Sequence, residues 1–582
     1  MIEQLPPGLL MIVGALFVPL FRGRWQQLWM LLLPIASGLC LIHQSALAEP
    51  VFGIDFEFFT YQLLPVRIDR LSLVWGHIFH IAAFLSVIFS LHVKDPVQNV
   101  MALAYAGAAV GGVFAGDLIT LFVYWELTAI TSVFLVWAGR TERSYRAGMR
   151  YLIIQVGSGV VLLAGIILLV ANGGSLIFDN LLDRDNLSGL AKTLFFIAFG
   201  IKAAFPLLHN WLQDAYPEAT PTGAVWLSAF TTKMAIYALA RGFAGAECLI
   251  WIGAAMTVFP IFYAVIENDL RRVLAYSLNN QLGFMVVGIG IGTDLSLNGT
   301  ASHAFAHILY KGLLFMSMGA VLMRTGTAKG SELGGLYKSM PWTATFCIIG
   351  AASISAFPFF SGFVTKSLIM KAAADEHYFV VWLVLLFASA GVLHHSGIKI
   401  PFCTFFAHDS GKRVKEAPLH MLIAMGITAA LCILIGIYPQ PLYAILPFEM
   451  EYTVSDAYSR THVITQYQLL IWAALAFTWL KRTGIEPPEQ RSVNLDTDWF
   501  YRKLSPIVVE SLSSTISQLS VATLNFAQSQ LDHFLSLVRK LYGPKGVFAR
   551  TWSTGDTVIW AAIMLGTYLL FYYQIVARLQ LP

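Results

Sequence analysis

Charged side chains are scarce in this chain, making up 12% of its 582 residues, where a soluble domain carries about 25%. With a mean hydropathy of +0.68, that scarcity excludes a soluble globular class and leaves an all-α polytopic membrane protein. Cysteine is sparse too. Cys40, Cys248, Cys347, Cys403 and Cys432 are scattered through apolar segments without a C-x-x-C pair. That argues against iron–sulfur, zinc and c-type haem sites and against a disulfide framework. No basic run of the nucleic-acid-binding kind occurs, and a net charge of +4 suggests no such partner. Flavin, quinone and nucleotide motifs are missing, so neither a cofactor nor a metal is expected. Gly288, Gly290 and Gly292 close an apolar run with no strand before them, so they are not a nucleotide loop. A basic n-region is also missing before the first apolar run, so the N-terminus reads as a retained helix.

What the chain has in abundance is apolar runs. A spanning helix needs about 20 mostly apolar residues. Candidate spans are Leu9–Phe21, Leu28–Ile42, Leu71–Leu91, Val100–Phe114, Leu118–Trp137, Tyr151–Val170, Leu190–Leu212 and Ala224–Ala240. Leu249–Val265, Val273–Ile291, Ala301–Met323, Trp342–Met370, Tyr378–Phe402, Leu419–Ile437, Leu469–Leu480 and Thr557–Val576 follow. The total is roughly sixteen. Arg22, Lys94, the Arg140–Arg150 cluster, Arg271 with Arg272, and Lys412 with Arg413 fall in alternate loops. By the positive-inside rule those loops face the cytoplasm and the N-terminus faces outward. Residues 481–556 form a more polar linker with Pro487-Pro488 near its start. Leu512, Ile516, Leu519, Leu531, Phe534, Val538 and Leu541 recur there at helical spacing, as in a helix lying on the membrane or on a partner subunit.

Against this background four ionisable residues stand out. Glu126, Lys202, Lys233 and Lys366 lie inside apolar runs, where a charged side chain costs roughly 2.5–3.5 kcal/mol or more. Protons or cations moving through the protein would account for them. Phe205-Pro206 and Phe357-Pro358 interrupt two spans, Lys202 preceding one and Lys366 following the other. Paired proline breaks are the sequence pointer to a transporter built from inverted repeats. His209 lies seven residues after Lys202, and His303, His307 and Lys311 follow at steps of four along one helix face. Histidine titrates near neutral pH, so these residues suit a proton relay. Lys399 is a further relay candidate that could equally anchor a helix end.

Several segments together resemble a known family. His209-Asn210-Trp211-Leu212-Gln213-Asp214-Ala215, followed by Pro221-Thr222, is similar to the W-L-P-D-A segment of antiporter-like membrane subunits. The segments beginning at Lys233, Asp269, His307 and Ser361 resemble further motifs of the same proteins, in the same order. These are the proton-conducting subunits of respiratory complex I and the D-type subunit of Mrp cation/proton antiporters, and the likeness runs from about Leu71 to about Ile437. Gln213 stands where proline is usual, and Asn279-Asn280 replace small hydroxyl or acidic residues.

The resemblance implies about fourteen core helices. Helices 4–8 and 9–13 would form two inverted five-helix repeats, with helices 7 and 12 broken and about two extra C-terminal spans. The expected organisation is residues 1–96 (helices 1–3), 97–245 and 246–410 (the two repeats), 411–480 (helices 14–15), 481–556 (linker) and 557–582 (the last span). Glu126, Lys202 and Lys233 correspond to the family's helix-five glutamate and its lysines of helices seven and eight. Lys366 lies in the broken twelfth helix and His307 in the eleventh. The implied function is proton translocation in a multisubunit Na+ or K+/proton antiporter of a bacterial inner membrane, among other membrane subunits and lipid. The alternative is a membrane-arm subunit of a complex I-like NADH–quinone oxidoreductase or membrane-bound hydrogenase. The chain is expected to be a transporter subunit rather than an enzyme; the alternative is a subunit of an NADH:quinone oxidoreductase-type enzyme complex.

Overall fold

Asp69 shows how a span begins here. Its carboxylate accepts from Ser72 N at 2.9 Å, and the Ser72 hydroxyl closes a capping box around the first orphan N–H groups. Thr141 forms a second capping box with Ser144, and Asp95, Asp117, Asp269 and Thr293 cap later helices by accepting from first-turn N–H groups. The computed structural model describes residues 6–46, 56–58, 61–184, 187–485, 494 and 496–579. Pro487-Pro488 lies outside them.

The chain divides into two units, Met1–Asp496 and Thr497–Pro582. In the first, α1 (Leu9–Leu16), α2 (Arg24–Ser45), α3 (Arg70–Ser90), α4 (Pro96–Val113), α5 (Leu118–Trp137) and α6 (Glu142–Ala171) come first. A short hairpin pairs Phe56–Phe58 with Tyr61–Leu63 between α2 and α3. Then come α7 (Gly189–Lys202), α8 (Asn210–Ala215), α9 (Gly223–Ala229), α10 (Thr231–Gly242), α11 (Glu247–Ile266), α12 (Leu270–Ile291) and α13 (Asp294–Thr325). The unit ends with α14 (Pro341–Ile354), α15 (Ser361–Asp375), α16 (Phe379–Val392), α17 (Leu419–Ile437), α18 (Gln440–Ala444), α19 (Val454–Ala457) and α20 (Arg460–Thr483). The second unit holds α21 (Ser505–Tyr542) and α22 (Thr554–Leu579). No residue of α21 is buried, and it includes the apolar series from Leu512 to Leu541.

Eleven helices among the described residues are long and apolar enough to cross a membrane, α21 among them. The hydropathy reading counts more spans for a physical reason. Breaks cut Leu190–Leu212, Ala224–Ala240 and Trp342–Met370 into shorter helices, Leu9–Leu20 is itself short, α4 falls outside the qualifying set, and α12 is polar, with Arg271, Arg272, Asn279, Asn280 and Gln281 on it. Its neighbours bury it almost entirely, so its composition need not match lipid. At the centre α13 is 94% buried over its most apolar window.

Both proline breaks have the same form. Ala204-Phe205-Pro206-Leu207 ends α7 and Ala356-Phe357-Pro358-Phe359 ends α14. Ala204 and Leu207 take φ of 62° and 70°, and Ala356 and Phe359 take 57° and 73°. Non-glycine residues rarely occupy that left-handed region, so the twin bends are a repeated structural device. A further break at Phe230, between α9 and α10, carries no proline or glycine to announce it.

Arg241, at the end of α10, donates to both carboxylate oxygens of Asp69 at 2.7 and 2.8 Å and to Tyr237 Oη at 2.8 Å. Burial pushes the Asp69 pKa up, but Arg241 and then Arg67 outweigh it and hold the carboxyl below its ordinary 3.8. A depressed folded-state pKa stabilises fully above the unfolded value and is lost as pH falls through the folded one. Asp69→Asn should therefore cost about 2–3 kcal/mol near neutral pH by leaving a buried guanidinium under-compensated. The deficit should shrink below about pH 4, measurable as the thermal midpoint in detergent across pH.

Candidate functional site

The broken helices leave carbonyls without partners, and lysines answer them. Lys366 Nζ donates to the carbonyl of Ile354, the last residue of α14, at 3.2 Å. Lys233 Nζ reaches back across the Phe230 break to the Ser228 carbonyl at 2.5 Å. A helix C-terminus carries partial negative charge, so each break offers an ammonium some compensation for lost water. Lys202 ends α7 but turns outward to α5, donating to the Trp125 carbonyl at 2.5 Å and Thr128 Oγ1 at 2.8 Å. Its Nζ also lies 4.4 Å from the Trp125 ring centroid, a cation–π contact. All three lysines are buried.

Glu126 follows Trp125 on α5, and its Oε1 is buried without a protein hydrogen-bond partner. Among the described residues it forms no direct ion pair with Lys202, whose donors are directed to the neighbouring carbonyl and hydroxyl. The two still act on each other electrostatically. Space for the carboxylate comes from α6, because a Cβ built at Gly159 would overlap Glu126 Oε1.

The α13 stripe forms a second cluster. His303 Nδ1 meets Thr365 Oγ1 at 3.1 Å and its Nε2 meets Gln281 Oε1 at 3.2 Å, so α13 is tied to α15 beside Lys366. Tyr310 Oη donates to the same Gln281 oxygen at 3.1 Å. His307 lies within electrostatic reach of Lys233, Lys311, His303 and Lys366. Both of its ring nitrogens and Lys311 Nζ are buried without a protein partner. Gln155, Gln213 and Asn279 likewise bury both polar side-chain atoms unpaired, and Thr232, beside Lys233, buries its hydroxyl. Buried polar atoms are almost always satisfied by protein or ordered water. So many unpaired polar atoms in the interior are the places where ordered water would bind.

Lys399 is placed differently. It donates to the carbonyls of Ala264, Val265 and Glu267 at 3.3, 2.5 and 2.7 Å, capping the end of α11. These bonds tie it to the end of α11, and His395, one turn earlier, is buried within electrostatic reach of Lys311 and Lys366. His209 follows the first break and bonds to Asp496. Next to Lys366, Ser367 borders a cavity of about 1280 Å³. Asp294, Asp375, Glu449, Glu451 and Asp456 are among its lining residues, with Lys371 and His462.

Sequence reasoning missed Gly159, Thr365 and Asp496. Thr365 could have been suspected beside Lys366. The other two are revealed only by packing between distant helices.

Comparison with known proteins agrees with this architecture. The family described as "NADH:quinone oxidoreductase/Mrp antiporter, TM" matches residues 115–394. Hydrogenase-4 component B of Escherichia coli is 29% identical over 68% of this chain and 65% of its own length. The D-type subunit of the Na(+)/H(+) antiporter of Alkalihalophilus pseudofirmus is 29% identical over 58% of this chain and 72% of its own. The chain thus spans just under two thirds of the first of these relatives. A chain of an archaeal membrane-bound sulfane sulfur reductase superposes with a TM-score of 0.71 at 22% identity, covering 98% of this chain and 100% of that one. The fold is therefore shared with that chain over nearly its whole length.

Proposed function

With residues 115–394 belonging to the NADH:quinone oxidoreductase/Mrp antiporter membrane family, we propose that the chain is the proton-translocating subunit of a multisubunit Na+ or K+/proton antiporter. Support for this reading comes from the burial of Lys202, Lys233, His307, Lys311, His303 and Lys366 in one unit of the chain, with unpaired polar atoms among them. A proton needs only donors, acceptors and water within hydrogen-bond reach. An alkali cation needs oxygen ligands, and the lysines at the core of the path would repel it. The exchanged cation therefore travels elsewhere in the assembly, through partner membrane subunits.

Protonation of Lys202 is favoured while the Glu126 carboxylate is near and disfavoured by its own burial. Moving the carboxylate away releases the proton toward Lys233 and the α13 stripe, and discharge follows at Lys366 into the acid-lined cavity. By the positive-inside rule the loops around Arg140–Arg150 face the cytoplasm and the cavity faces outward, across a bacterial inner membrane.

The similarity to hydrogenase-4 component B favours a second reading, a proton-pumping subunit of a complex I-like oxidoreductase or hydrogenase driven by redox chemistry in other subunits. Everted membrane vesicles holding the assembled complex separate the two. An antiporter relieves a preformed pH gradient when Na+ or K+ is added. A redox-driven pump builds the gradient only with an electron donor and ignores the cation. A complex that does neither would refute both.

A further inference from the structure

His209 is buried, and its Nε2 lies 2.8 Å from Asp496 Oδ2, with the two side chains 1% and 4% exposed. Tyr276 Oη, on α12, donates to the same oxygen at 3.4 Å. The ring of Phe259, on α11, lies against the imidazole with centroids 4.6 Å apart. Asp496 lies beyond the family match, which ends at residue 394. Asn494, two residues earlier, donates to the Ile266 carbonyl at the end of α11 at 3.4 Å. The chain thus brings a carboxylate from the rim between α11 and α12 onto a histidine in the break after Lys202. The acid nearest His209 in sequence is not free for that task, because Asp214 pairs with Arg150 at 2.6 Å.

We propose that Asp496 is a positioning residue that makes His209 the proton-loading group for Lys202, a role that rests on the proton-path reading above. A carboxylate only accepts hydrogen bonds, so it selects the imidazole tautomer with hydrogen on Nε2. The basic lone pair is then on Nδ1, the atom that is buried without a protein partner. A proton arriving from the basic rim binds Nδ1, and the resulting imidazolium stays paired with the Asp496 carboxylate. Transfer returns His209 to the neutral imidazole and converts the Lys202 amine to ammonium, directly or through water. One proton enters and one leaves, and Asp496 stays ionised throughout.

The test uses the assembled complex in everted vesicles. Asp496→Asn keeps an oxygen that accepts from His209 but removes the charge, so it separates pinning from proton handling. Proton uptake should fall about 100-fold, the low end for a lost proton-transfer group, and Asp496→Glu should restore most of it. His209→Gln should fall as far, and the double variant no further, because both changes disable one station. Uptake at the parent rate in Asp496→Asn, or losses that multiply in the double variant, would overturn the assignment. Lys202→Ala, run in parallel, tells the two failures apart. If it stays active the proton path itself is wrong, and if it is inactive while Asp496→Asn is normal, only this inference falls.

Discussion

Lys202→Ala should abolish proton uptake, by about 100-fold or more, in a complex that still assembles. The ammonium is fully buried, and its donors go to the Trp125 carbonyl and the Thr128 hydroxyl. The Trp125 carbonyl stays satisfied, since the Thr128 hydroxyl remains 2.7 Å from it, and Glu126, left without its lysine, can take up a proton rather than remain an uncompensated charge. Stability therefore changes little beyond the cavity left behind. Glu126→Gln should slow uptake to a comparable degree by removing the charge that modulates Lys202. Fluorescence quenching of a ΔpH dye in everted vesicles, with subunit content checked by native gel, reads both outcomes. Normal uptake in either variant would remove the Glu126–Lys202 site from the path.

Gly159→Ala should impair uptake by about ten-fold or more without altering a single ionisable residue. The new methyl would claim the space of Glu126 Oε1. The carboxylate sits at the far end of a rotatable side chain, so it moves while α5 and α6 keep their packing. The fold survives and the electrostatics at Lys202 change. Gly157, on the same helix, has nothing within 4 Å of a built Cβ, so Gly157→Ala is the matched control and should transport normally. Equal rates in the two variants would show that the placement of Glu126 is immaterial.

Helix positions were largely legible because hydropathy reports contact with lipid, and Leu118–Trp137 and Leu419–Ile437 coincide with their helices end to end. The proline breaks were legible for a similar reason, since proline cannot continue the ladder. Phe230 was not, because no local chemistry forces that bend. The lysines were conspicuous through their cost in an apolar run. Their partners were not, because the Ile354 carbonyl that receives Lys366 and the Ser228 carbonyl that receives Lys233 are backbone atoms with no sequence signature. Lys399 illustrates the same difficulty. In sequence it reads equally as a relay residue or a helix-end anchor, and its three carbonyl partners on α11 and just beyond carry no sequence signature. Asp496 lies in a polar stretch where nothing in its spacing points back to His209.

The twin Ala-Phe-Pro bends carry a last consequence. Aligning one bend on the other in sequence places Lys202 opposite Ile354 and Lys366 opposite Asp214, so the repeated bend does not carry a repeated charge. A wire identical from either end has no preferred polarity. The two bends differ in which flank supplies the cation, and on the proposed proton path that mismatch would make the conductor a rectifier.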